Sequence, residues 1–146
     1  MRSIQVYLTL FSDKPIDNSM ISKITQASPT RLESKGERVY YNGELAKELV
    51  NGEWVDLLRK QNAWIYDLPV FNQYEVDDCI KHLISIIKNP SNLGNYCENN
   101  AIKTKLYIVI RGVNKDTFPS MFLSEETVGF LANINACIDP DIYWDE

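Results

Sequence analysis

Asp139 and Asp141 stand two residues apart in INACIDPDIY (134–143), with Pro140 between them. Carboxylates at that spacing on one strand face lie about 6–7 Å apart. They could share a metal ion, divide acid and base work, or face water and a basic partner. A metal would need further ligands, and no other motif supplies them. The single histidine, His82, falls about 200° from Ile80 on a helical wheel, which places it toward water. A nucleophilic triad would have to use this one imidazole, and nothing around it resembles a nucleophile elbow. The six glycines form neither GxGxxG nor GxxxxGK[ST], so no phosphate-binding loop is legible. No catalytic residue, cofactor or metal site is therefore assigned.

The remaining polar candidates lie near the ends of expected strands. Arg31, Lys35 and Arg38 in TRLESKGER could attract an anion, but Glu33 and Glu37 interleave with them. Arg31, Arg38, Tyr40 and Asp67 are candidates for a ligand site in a pocket between sheet and helices. Cys79, Cys97 and Cys137 form no CxxC and are odd in number, which suits reduced, mostly buried thiols.

These residues need elements to hold them. SIQVYLTLF (3–11) alternates Ile4, Val6, Leu8 and Leu10 with mixed neighbours, as a strand with one buried face does. Asp17 can cap a short helix over 18–26 with Met20, Ile21 and Ile24 inward. Asn42-Gly43 and Asn51-Gly52 are strong hairpin signals. They predict a meander with strands near 37–41, 45–50 and 53–58, although ELAKEL also suits a helical turn. NAWIYDL (62–68) reads as a strand. Asn72 and Glu75 then make an approximate capping box. Beyond them Val76, Ile80, Leu83, Ile84 and Ile87 recur at helical spacing. Residues 91–100 are a weak helix or a loop, KLYIVIRG (105–112) a central strand, and FPSMFL (118–123) a short edge strand. Ser124 caps a last helix with Glu125 and Glu126 in its first turn. ACIDPDIYW closes the chain as an edge strand. Ala136, Ile138, Pro140, Ile142 and Trp144 share its inner face, and Cys137, Asp139, Asp141 and Tyr143 its outer face. Trp54 and Trp64 are expected in core or half-buried positions, with Trp144 partly exposed.

This order predicts an α+β fold. The best fit is a ferredoxin-like sandwich, with a mostly antiparallel sheet, helices on one face and an inserted β-meander. The 146 residues fit one domain, 1–146. The hydrophobic content of 45% and charged content of 24% are those of a globular chain. No apolar run approaches the roughly 18 residues of a membrane helix, and the start of the chain suits a strand better than a signal peptide. A cytoplasmic protein is expected.

Net charge is −5, and it is unevenly placed. Residues 1–60 carry 9 Lys/Arg and 8 Asp/Glu, whereas residues 61–146 carry 6 and 12. That sign disfavours nucleic acid and allows a basic protein partner. Asp139, Asp141, Tyr143, Trp144, Asp145 and Glu146 are the candidate contact residues, with the aromatics as anchors inside a charged rim.

ISKITQASPT, the KGE after it, NGEW, IKHLISII, KLYIVIRG and LSEETVGFLANINACIDPDIY together resemble a bacterial family called domain of unknown function 4279. The likeness spans nearly the whole chain, with Pro140 interrupting the closing alternation of Ile and Asp. It implies a single α+β domain in a bacterial cytosol and carries no activity or catalytic residues. Small acidic α+β proteins also look like immunity proteins, which neutralise toxins from neighbouring cells. Two functions are open. One is a protein-binding module of the immunity type that meets a basic toxin domain through an acidic surface. The other is a small-molecule-binding protein or small enzyme.

Overall fold

The computed structural model describes residues 2–72 and 75–145. Its centre is β1 (Ser3–Ser12). Ile4, Val6, Leu8 and Leu10 on alternate positions of β1 are fully buried, and they set which face of the sheet is covered. β1 is followed by α1 (Asn18–Thr25), whose N-cap Asp17 accepts the Met20 N–H at 3.1 Å. Ile21 of α1 is buried, Ile24 is partly so, and Met20 stays exposed.

The chain returns as β2 (Arg31–Glu33), makes a β excursion, and re-enters the sheet as β7 (Asn62–Asp67). β7 pairs antiparallel with both β1 and β2. After Pro69 the short β8 (Phe71–Asn72) resumes pairing with the start of β1. Helices α2 (Val76–Ile86) and α3 (Pro90–Asn99) lead to β9 (Lys103–Val113), antiparallel to β1. Helix α4 (Glu125–Asn133) carries the chain to β10 (Ala136–Trp144), which lies parallel to β9. The strand order is β10-β9-β1-β7-β2. Counting β1, β2, β7 and β9 as strands one to four gives the 4-1-3-2 order of a ferredoxin-like sheet. The α4–β10 unit extends one edge of it in parallel.

The excursion is two hairpins, β3 (Tyr40–Tyr41) with β4 (Glu44–Leu45), and β5 (Lys47–Val50) with β6 (Glu53–Asp56). Asn42, Gly43, Asn51 and Gly52 all take positive φ, as two-residue hairpin turns require. The meander is thus present, and ELAKEL is strand rather than helical turn.

Helices and sheet enclose one core. It includes Trp64, Ile80, Leu83, Leu93, Leu106 and Ile108. Cys79 and Cys97 belong to it, whereas Cys137 is exposed. Helix α3 comes so close to α4 that a Cβ on Gly94 would collide with the Asn133 carbonyl oxygen.

Four local expectations differ from the structure. Trp54 is 68% exposed, on a hairpin that forms a two-stranded sheet of its own outside the main sheet. Asn72 is not the cap of α2. It pairs in β8, and Glu75 is the N-cap, without a side-chain capping bond. The Glu75 carboxylate instead accepts the Ser120 N–H at 2.6 Å. Residues 118–123 form no strand, and the Ser120 N–H goes to that carboxylate instead of to a sheet partner. Met20, expected inward on α1, is 39% exposed, whereas Cys137 is exposed on the outer face of β10, where its place in the alternation of ACIDPDIYW puts it.

Candidate functional site

Two surfaces collect polar and aromatic side chains. The first is the end of β10 with the loop before α4. Register with β9 puts Asp139 beside Tyr107 and Asp141 beside Val109, on the face turned away from the helices. Ala136 and Ile142 are half-buried on the opposite side, while Ile138 and Pro140 remain exposed because the helix layer does not fully cover this edge. A register shift between Ile142 and Trp144 turns the end of the strand. Trp144, 60% exposed, stacks on Phe118 with centroids 5.6 Å apart. Met121 and Phe122 of the same loop are also exposed.

The aspartates on this edge are not a bare acidic strip. Asp139 Oδ2 lies 3.6 Å from Lys105 Nζ. The Tyr143 hydroxyl donates to Asp141 Oδ2 at 3.2 Å, and the Arg111 guanidinium sits 4.4 Å from the Tyr143 ring centroid. Asp145 is exposed and donates its N–H to Val113 O at 2.7 Å. Among the described residues, no group of three or more His, Cys, Asp or Glu side chains could hold a metal ion. Glu146 lies outside the described residues.

The second surface is the open face of the sheet. Tyr7 on β1 and Tyr107 on β9 are register partners, and their rings stack at 4.7 Å. Burial, then the neighbouring Tyr107, raises the Tyr7 pKa above its ordinary value. Arg31 lies 5.8 Å from the Tyr7 ring centroid and forks onto Asp67 at 2.8 and 3.2 Å. That hydrogen bond raises the Arg31 pKa.

Three adjoining hollows run from this face under the excursion, and Arg59 lines all of them. One of about 350 Å³ brings Arg31, Arg38 and Tyr40 together with Glu33 and Glu37, and Asp67 joins through its bond to Arg31. So Arg31, Arg38 and Tyr40 line one hollow, on the open face and not between sheet and helices, while Asp67 does not line it and is linked to it only through Arg31. A wider groove of about 830 Å³ runs along Trp54, Val55 and Leu58. There Asp56 is held at 2.9 Å by Lys47 and 3.4 Å by Arg38, and the Lys47 hydrogen bond lowers its pKa. The third hollow, about 250 Å³, is floored by Thr9. Together the three are lined by seven Lys/Arg and four Asp/Glu, the reverse of the balance over the whole chain.

Elsewhere a hollow of about 400 Å³ opens where the ends of α3 and α4 meet the starts of β9 and β10. Cys97 and Cys137 both line it. Burial pushes the Cys97 thiol up to about 11, and Cys79 likewise, so both are neutral thiols at pH 7. His82 is exposed and stacks on Phe71 at 4.9 Å.

Thr9, Phe11, Arg59, Lys60, Lys105 and Tyr107 were not singled out from the sequence. The signal was there in part. In SIQVYLTLF and KLYIVIRG the positions opposite the buried set hold Tyr7, Phe11 and Tyr107, and aromatics on a face left without a helix layer ask for a reason. Arg59 and Lys60 carried no such signal, because only the return of the excursion brings them over β1.

The family described as a domain of unknown function (DUF4279) matches residues 2–145. The chain belongs to that family, as its motifs implied. No curated protein and no solved structure matches it. Among the described residues, no helix is long and apolar enough to cross a membrane.

Proposed function

We propose that this protein is a protein-binding module whose contact surface is the end of β10 with the loop before α4. One observation carries the reading: the exposed Phe118–Trp144 stack on an open edge strand, beside Asp141 and Asp145. Large aromatics ringed by charge are the usual anchors of protein interfaces. Edge strands can also accept a strand from a partner. Pro140 lacks an N–H and so limits such pairing near the middle of β10.

The carboxylates favour a basic partner, and an immunity-type role against a basic toxin domain in a bacterial cytoplasm fits that sign. Lys105 and Arg111 temper the edge, so steering by charge is modest and the aromatics supply most of the affinity. The test is capture of partners on immobilised protein at low and high salt. Wild type is compared with Trp144→Ser and with the double reversal Asp139→Lys/Asp141→Lys. The expected result is one basic partner, lost with Trp144→Ser and weakened by the reversal. A partner held equally by all three proteins, or no partner at all, overturns the reading.

A second reading is favoured by the convergence of Arg31, Arg38 and Tyr40 on one hollow. It makes the chain a small-molecule-binding protein and predicts a rise in Tm with an anionic ligand that Arg38→Gln abolishes. A ligand screen without any such rise overturns it.

A further inference from the structure

The hollow over β1 has a construction of its own. Thr9 is a small residue between Tyr7 and Phe11 on the open face of β1, with Lys105 and Ile65 as its neighbours on the flanking strands. A small side chain among large ones leaves a dip in the sheet surface. Phe11 and Tyr107 supply aromatic side chains to its lining, and Arg59 and Lys60 come over from the segment that returns from the excursion into β7.

The charges inside are unequal. Arg59 Nε lies 2.7 Å from Glu33 Oε2, so these two largely neutralise each other. Lys105 shares its charge with Asp139 across 3.6 Å. Lys60 is exposed and makes no ion pair among the described residues. The balance left in the hollow suits one negative charge.

A separate observation concerns the floor. Thr9 is only 8% exposed, and its hydroxyl oxygen is buried with no hydrogen-bond partner among the described residues. Buried hydroxyls are nearly always satisfied, because leaving one unpaired costs free energy. A turn of about 120° about χ1 carries the Thr9 hydroxyl to another staggered position, from which its O–H can reach a ligand in the hollow that Thr9 lines. At about 250 Å³ the space equals that of roughly eight waters, below the size of a nucleotide or drug-like ligand.

We propose that this hollow binds a small aromatic carboxylate, its carboxylate held by Lys60, Lys105 and the Thr9 hydroxyl and its ring set against Phe11 and Tyr107. Phe11 and Tyr107 stand among the cations that line the hollow, which suits an anion with a ring better than inorganic phosphate, which would have no use for the aromatics. The site meets the β10 surface only through the Lys105–Asp139 pair, and neither proposal requires the other.

The test is an amide-resolved NMR titration of the full chain with benzoate and, separately, with inorganic phosphate. It is repeated on Thr9→Val and Lys60→Gln. Benzoate is expected to give saturable shifts centred on Thr9, Lys60, Lys105 and Tyr107. Each variant should weaken it about tenfold, the loss of one charge-assisted hydrogen bond. Phosphate should bind at least tenfold more weakly than benzoate. Thr9→Val keeps the shape and removes an unpaired hydroxyl, so its Tm should rise by about 3–6 °C while binding falls. A purely structural Thr9 would not move the two readouts in opposite directions. The proposal is overturned by an absence of saturation, by shifts spread over lysines elsewhere, by unchanged binding in both variants, by phosphate binding as tightly as benzoate, or by a lower Tm in Thr9→Val.

Discussion

Asp77 ties α2 to α4, and its removal tests how the helix layer is held. The residue is 8% exposed. One carboxylate oxygen accepts the Ser124 N–H at 3.0 Å and the Ser124 hydroxyl at 3.2 Å, and Lys81 Nζ lies 3.5 Å from the other. Ser124 in turn accepts the Thr127 N–H at 3.3 Å, so the carboxylate supports the N-cap of α4. Burial pushes the Asp77 pKa up. The hydrogen bonds from Ser124 and Thr127, with the Lys81 charge, pull it down further, and the net shift is downward.

Hydrogen bonds to a charged group contribute about 1.5–3 kcal/mol, and relief of the buried charge offsets part of that when the group is removed. Asp77→Ala should therefore cost about 2 kcal/mol at neutral pH, a fall in Tm of about 6 °C for a chain of this size. Asp77→Asn keeps an acceptor oxygen and loses the charge, so it should cost about half as much. A lowered folded pKa stabilises the protein above the ordinary carboxylate range, and that stabilisation is lost as pH falls through the folded value. Wild type and Asp77→Ala should differ most in urea unfolding at about pH 7, and less at a pH below the ordinary carboxylate range. An equal difference at both pH values, or no loss at neutral pH, would refute the reasoning.

Gly94→Ala should drive α3 away from α4, because the new methyl meets the backbone of Asn133 rather than a side chain that can turn aside. A loss of about 3 kcal/mol is expected in urea unfolding, and a loss below about 1 kcal/mol would show that the helices part easily. Native protein treated with iodoacetamide should be labelled at Cys137 alone, since Cys79 and Cys97 are buried with thiols pushed up to about 11. Mass spectrometry showing equal labelling of Cys97 before unfolding would count against the packing of α3.

Elements whose period matched their burial could be read directly. β1, β9 and α2 bury the residues that their alternation or helical spacing marks, and the two Asn-Gly pairs take the backbone angles their chemistry allows. The misreadings share one cause, a partner that the local sequence cannot show. Phe118 to Leu123 look like an edge strand, but they form the loop into α4, where the Ser120 N–H is claimed by the Glu75 carboxylate of a distant segment. Asn72 looks like a cap until β1 is seen to claim it. Trp54 looks like core because tryptophan usually is, yet its hairpin stands outside the main sheet. The same limit applied to function. The aspartates of β10 were legible as outward-facing, while the cations that temper them, Lys105 and Arg111, belong to β9. The hollow over Thr9 needed residues from β1, β9 and the returning excursion, which are far apart along the chain.

The parallel placement of β10 also decides where the two ends of the fold come to rest. Ser3 at the start of β1 pairs with Arg111, and Trp144 at the end of β10 pairs with Val113, so both flank the same end of β9. Two strand spacings separate them, roughly 10 Å. A linker of a few glycines and serines could bridge that gap, and the Asn51-Gly52 turn at the tip of an exposed hairpin offers a place to open the chain instead. The circular permutant so made would keep every pairing of the six-stranded sheet, and its new ends would lie on the excursion, away from the Phe118–Trp144 stack. Tags and labels could then be attached without standing next to those aromatics.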